Sequence, residues 1–98
     1  MNIKYTLHDI IFEWDEKKAA ANLRKHNISF ELACEAFFDP FVCYVDDEIL
    51  DGELRETIIG LTTSWHLSYV VYVLRDDTIR IVSARSVTNA EKELYENQ

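Results

Sequence analysis

Apolar residues change their spacing several times along this chain, and each change predicts an element. Ile10, Ile11, Phe12 and Trp14 crowd together and predict a strand ending at Asp15, behind a weakly extended start at residues 1–10 that reads as an N-terminal extension. Asp15 is placed to cap a helix. Glu16 to His26 is rich in strong helix formers, with acid in the first turn and Arg24, Lys25 and His26 in the last, matching the helix dipole. Asn27 suits the left-handed residue after that helix, and Ser29 suits the cap of the next. Phe30, Ala33, Cys34, Phe37 and Phe38 then form an apolar stripe at helical spacing, which Asp39-Pro40 stops.

From Phe41 the spacing becomes that of a sheet. Strands are predicted over 41–45, 54–61, 65–75 and 78–85, separated by an acidic loop from Asp46 to Gly52 and a tight turn at Asp76-Asp77. The run from Trp65 to Arg75 is apolar on both faces, as a central strand would be. Thr88 and Glu91 form a capping box that opens a helix reaching about Asn97. The predicted order is β-α-α-β-β-β-β-α. It implies an α+β fold: a four- to five-stranded antiparallel sheet with two N-terminal helices and a short C-terminal helix, in one domain over 1–98.

Composition narrows the function. The chain has 98 residues, 48% of them hydrophobic, enough for a core without metal or disulfide support. The net charge of −8 is spread over both halves, with 5 basic and 10 acidic residues in 1–50 and 5 and 8 in 51–98. A field of that sign repels nucleic acid at long range, so any phosphate contact needs a local basic site. Cys34 and Cys43 fit no CxxC pattern and read as buried free thiols, a disulfide being the less favoured alternative. No signal peptide and no apolar run of about 20 residues is present, so a cytoplasmic protein with no membrane contact is expected.

Most catalytic patterns are missing. His8, His26 and His66 lie far apart, no HxxxH spacing occurs, and Asp46-Asp47-Glu48 lacks the alternation and glycine of a calcium loop, so neither metal nor cofactor is expected. Phosphate-binding glycine loops and the GxSxG elbow are absent too. The remaining feature is basic: Arg24-Lys25-His26 at a helix end, and Arg55, Arg75, Arg80 and Arg85 in or beside strands. Arginine can hold a phosphate through two donors, and histidine can exchange protons near neutrality. The plainer alternative is that each arginine pairs with a nearby acid such as Glu53 or Asp76. Arg80 and Arg85 are five residues apart and should face opposite sides of a regular strand. Both reach one site only if the strand bends, bulges or ends before Arg85.

Several segments together resemble the BrnT family of bacterial toxins. They are Phe12-Glu13-Trp14-Asp15, Lys18, Asn22, Lys25-His26, Ile28 to Ala33, and Phe37-Phe38-Asp39-Pro40, followed by Arg55, Ile59-Gly60, Tyr69 to Tyr72, Ile79 to Arg85, Glu91 and Tyr95. The resemblance implies a RelE-like ribonuclease toxin of a type II toxin–antitoxin pair, cleaving RNA without metal and so inhibiting translation. It further implies a cognate DNA-binding antitoxin, contact with operator DNA only through that antitoxin, and a heterotetramer as one assembly. On this resemblance Arg55 and Arg85 stabilise charge at the phosphate, and Lys25 or His26 assists proton transfer or binds the backbone. Arg80 contacts RNA, and Trp14 either stacks on a base or belongs to the core.

The chain departs from the family in two places. Ser86 to Ala90 carries no charge where members have a basic run, and Asn27 stands where glycine is usual. The alternative reading is therefore a non-catalytic module of the same fold that keeps only antitoxin or partner binding.

Overall fold

A computed structural model describes all residues from Met1 to Gln98. Six strands and three helices follow one another as β1 (Asn2–Leu7), β2 (Ile10–Asp15), α1 (Glu16–His26), α2 (Phe30–Glu35), β3 (Cys43–Leu50), β4 (Glu53–Leu61), β5 (Leu67–Arg75), β6 (Thr78–Ser86) and α3 (Asn89–Glu96). A 3-10 turn over Ala36–Phe38 extends α2 up to Asp39-Pro40. The sheet order is β1-β2-β6-β5-β4-β3.

The caps form where the sequence places them. The Asp15 carboxylate accepts from the Lys18 amide, Ser29 Oγ accepts from the Leu32 amide, and Thr88 and Glu91 satisfy each other's backbone donors. Asn27 sits at φ 57° and its N–H closes on Leu23 O.

Three expectations are corrected. The sheet has six strands rather than four or five. It is mixed, because β2 pairs with β6 in parallel (Phe12 beside Ile79) while every other pairing is antiparallel. A contact between residues so far apart in the chain leaves no local signal. Residues 2–7, read as weakly extended, form the edge strand β1, antiparallel to β2. Ile3, Tyr5 and Leu7 alternate onto the core, and the Tyr5 ring lies 5.7 Å from that of Trp14. The hairpin turn that joins β1 to β2 is His8-Asp9, both at positive φ, without the glycine that usually marks such a turn. Finally, most of the acidic segment is strand β3, and only Asp51-Gly52 turns. An edge strand has one side in water and tolerates charge at successive positions.

Helices α1 and α2 cover one face of the sheet. Phe12, Trp14, Phe30, Ile58, Val70 and Ile81 meet there with at most 2% exposure. Burying side chains of this size stabilises the fold by about 1.5–3 kcal/mol each. Asn22 ties α1 to this face. Its side-chain amide donates to Ala84 O (2.9 Å) and Ile28 O (3.0 Å), and its oxygen accepts from Ala84 N–H (3.1 Å). The β2 ladder on β6 ends at Glu13–Arg80, so Asn22 stands in for a strand residue further along.

Candidate functional site

The opposite face of the sheet carries the arginines. The register pairs Val71 with Ser83 and Tyr72 with Ile81, so Val82 is an extra, bulged residue in β6. That bulge restores parity between Arg80 and Arg85. Arg85 opposes Tyr69, Arg80 opposes Val73 and Thr78 opposes Arg75, all on the helix-free side. One step beyond the pair Glu56–Tyr72, Arg55 falls opposite Val73 on that same side. All four strand arginines therefore share one face. They do not converge on one point: Arg55 and Arg85 are two strands and four residue levels apart, roughly 16 Å between Cα atoms.

Their partners differ. Arg85 forms a fork with Glu91, with Nη1 and Nη2 each 2.8 Å from a carboxylate oxygen, and Nη1 also donates to Ser86 O. Its guanidinium carbon lies 3.9 Å from the Tyr69 ring centre. The Glu91 hydrogen bonds push the Arg85 pKa further up, and Arg85 in turn holds the Glu91 carboxyl below its usual range against the effect of burial. Arg80 spends Nη1 on Glu13 (2.6 Å) and Nη2 on Asn2 (3.2 Å), lacing β6 to the N-terminal hairpin. Arg75 pairs with Glu53 at 2.9 Å on the surface. Arg55 alone of the four has no carboxylate partner, and its Nε is buried without a hydrogen bond.

The other sequence candidates lie elsewhere. Lys25 and His26 end α1 on the helical face, so the sheet stands between them and the arginines, and no hydrogen bond or ion pair joins the two groups. Trp14 is 2% exposed and packs against Tyr5 and Phe30. It is a core side chain with no free face for a base. Cys34 and Cys43 are free, and burial pushes the Cys34 thiol pKa up, away from reactivity. No group of three or more His, Cys, Asp and Glu side chains is arranged to hold a metal ion.

One constellation escaped the sequence reading. His66 follows the β4–β5 turn, with Nδ1 3.1 Å from Ser68 Oγ and Nε2 2.9 Å from Ser86 Oγ. It lines a hollow of about 370 Å³ with Leu61, Trp65, Leu67, Ser86, Val87 and Lys92. Arg85 does not line it; its guanidinium bonds the Ser86 backbone carbonyl from the helix-free face. Lys92 is brought to the hollow by α3, which buries no residue fully and is held by polar ties. Besides Arg85–Glu91, the Tyr95 hydroxyl donates to Asp39, and Asp39 also accepts from the Leu61 and Phe41 amides. Burial alone would raise the Asp39 pKa, but these three donors outweigh it and hold the carboxyl below its ordinary value. A solitary histidine in the sequence carries no hint of this. Trp65 and His66 read as the start of a strand in the sequence, and the structure places them in the β4–β5 turn instead.

The family model "Ribonuclease toxin, BrnT, of type II toxin-antitoxin system" matches residues 14–91, and the chain belongs to that family. Membership implies a cognate antitoxin as partner. Among solved structures, the crystal structure of the Brucella abortus ribonuclease toxin BrnT is similar. It is 21% identical, covers 78% of this chain and 94% of its own, and superposes with a TM-score of 0.52. At that identity the likeness is one of fold. No curated protein sequence matches. No helix is long and apolar enough to cross a membrane.

Proposed function

We propose that this chain is a metal-independent endoribonuclease of RelE-like design, acting in the cytoplasm on RNA bound across the helix-free face. Its cleavage of messenger RNA inhibits translation. The antitoxin neutralises it, in a heterotetramer that reaches operator DNA through antitoxin residues. The observation that carries this reading is Arg55: a cation on the open face with no carboxylate partner, in a chain of net charge −8. An unpaired guanidinium in a repulsive field is poised for an external anion.

In the proposed reaction the ribose 2′-oxygen attacks the adjacent phosphorus. A base takes the 2′ proton, and the 5′-oxygen leaves with a proton from an acid, giving a cyclic phosphate and a free 5′-hydroxyl. Arg55 and Arg85 supply positive charge to the RNA backbone. Their separation suits different phosphates of one strand better than a single one. Arg85 retains only two free donors, Nε–H and one on Nη2, because Glu91 and Ser86 O occupy the rest. Lys25 and His26, on the far face, fit backbone binding at the sheet end better than proton transfer beside Arg55.

The test is cleavage of a mixed-sequence RNA in EDTA by protein purified free of antitoxin. Arg55→Ala should lower the rate roughly 100-fold or more, the usual cost of removing a charge-stabilising donor. An inactive wild type would overturn the nuclease reading. It would instead favour a partner-binding module, which the existing pairing of Arg75, Arg80 and Arg85 to acids already supports.

A further inference from the structure

Trp65 is the most exposed aromatic side chain, at 84%. It also sits in the left-handed region, at φ 61°. The loop that holds it is tight: Trp65 N–H donates to Thr62 O, and Thr62 N–H donates to His66 O. Hairpin loops of this length place a left-handed residue just before the return strand, normally glycine. A bulky side chain there strains the backbone and, being exposed, recovers nothing by burial. Exposure and strain together mean that folding does not account for this indole.

Its surroundings do offer an account. The hollow beside it has a volume of about 370 Å³, of the order of one nucleotide, with an apolar floor of Leu61, Leu67 and Val87. Its polar lining is His66, Ser86 and Lys92. Lys92 brings a cation to it in a chain whose net charge is −8. His66 is oriented by fully buried Ser68 on one nitrogen and faces Ser86 with the other.

We propose that this hollow is a nucleotide subsite for single-stranded RNA. Trp65 stacks on one base, Lys92 takes the adjoining phosphate, and His66 with Ser86 hydrogen-bonds the sugar or base edge. Stacking on an exposed aromatic is tolerant of sequence, and phosphate contacts set the register. The lysine and the hydroxyl–imidazole pair favour RNA over an apolar protein anchor. The inference rests on the nuclease reading but assigns residues outside it.

The experiment uses a mixed-sequence RNA hexamer methylated at every 2′-oxygen, which binds but cannot be cleaved through that oxygen. Iodide quenching reports on Trp65, because Trp14 is buried. Saturating hexamer should protect the iodide-accessible emission. Trp65→Gly should weaken binding roughly 10-fold or more. The same substitution should raise the Tm by several degrees, because glycine relieves the left-handed strain. A merely structural tryptophan would lower it. Lys92→Gln should weaken binding less and reduce the salt slope by about one.

Unprotected Trp65, or Trp65→Gly binding the hexamer as wild type does, overturns the subsite even where wild type cleaves RNA and Arg55→Ala does not. Loss of antitoxin binding by Trp65→Gly with hexamer affinity intact overturns it in favour of a protein contact. A wild type that neither cleaves RNA nor binds the hexamer overturns both readings.

Discussion

Asn22→Ala is the sharpest test of how the helical layer is fixed to the sheet. The substitution removes three hydrogen bonds, at 2.9, 3.0 and 3.1 Å, from a side chain only 8% exposed. It leaves Ala84 N–H, Ala84 O and Ile28 O without those partners, in residues 0% and 2% exposed. Each buried group so orphaned costs about 1–3 kcal/mol, and one water admitted to the vacated volume can satisfy part of the set. The expected loss is therefore roughly 3–5 kcal/mol, a large share of the total for a domain this size. By thermal circular dichroism this is a Tm fall of roughly 15–30 °C, and in urea a lower midpoint with an unchanged slope. Asn22→Asp makes the argument specific. It keeps the acceptor for Ala84 N–H but turns both donor contacts into a carboxylate facing carbonyl oxygens. Its folded pKa is then raised above the unfolded value of about 3.9, so its stability is greatest in acid and is lost as pH rises. A loss below about 1 kcal/mol for Asn22→Ala, or an Asn22→Asp protein as stable at pH 7 as at pH 4, would refute the reasoning.

Two further outcomes follow from other contacts. A Cβ at Gly60 would stand 2.2 Å from Ala36 O and 2.8 Å from its carbonyl carbon, both backbone atoms that cannot swing aside. Gly60→Ala should cost about 1–3 kcal/mol or more by forcing the 3-10 turn off the sheet, read as a Tm fall of at least ~5 °C. Asp39 and Glu91 both have lowered folded pKa values, so their stabilisation is present above about pH 4 and is lost as pH falls through the folded values. Tyr95→Phe removes one donor to Asp39. It should lower the Tm at pH 7 and narrow the difference between pH 7 and pH 3. The Tyr95 hydroxyl itself, raised to about 12 by burial and by Asp39, keeps its contribution up to about pH 10.

Local chemistry determined a good deal of this protein. The helix caps at Asp15, Ser29 and Thr88, the stop at Asp39-Pro40 and the central position of β5 all follow from residues within one turn or one strand of each other. The family was legible in the order of its segments, and the matched residues 14–91 include almost all of them. Several of those residues turn out to be fasteners: Asn22 on Ala84, Asp39 on Leu61 and Tyr95, Gly60 against Ala36, Glu91 on Arg85.

The rest depended on contacts between distant parts of the chain. Only the parallel pairing of β2 with β6 made the sheet mixed, and the antiparallel ladder on β2 made the weakly extended residues 2–7 its edge strand. Strand parity alone set Arg80 and Arg85 on opposite faces, and the bulge at Val82 returned them to one. Which arginines are free was likewise a tertiary matter. Glu13 and Glu91 reach Arg80 and Arg85 across elements, while the carboxylates near Arg55 in sequence do not close on it. Periodicity reports which face a residue takes within its own element. It carries no information on which charged side chain from another element arrives opposite, and that arrival decides whether an arginine here is a brace or a binding group.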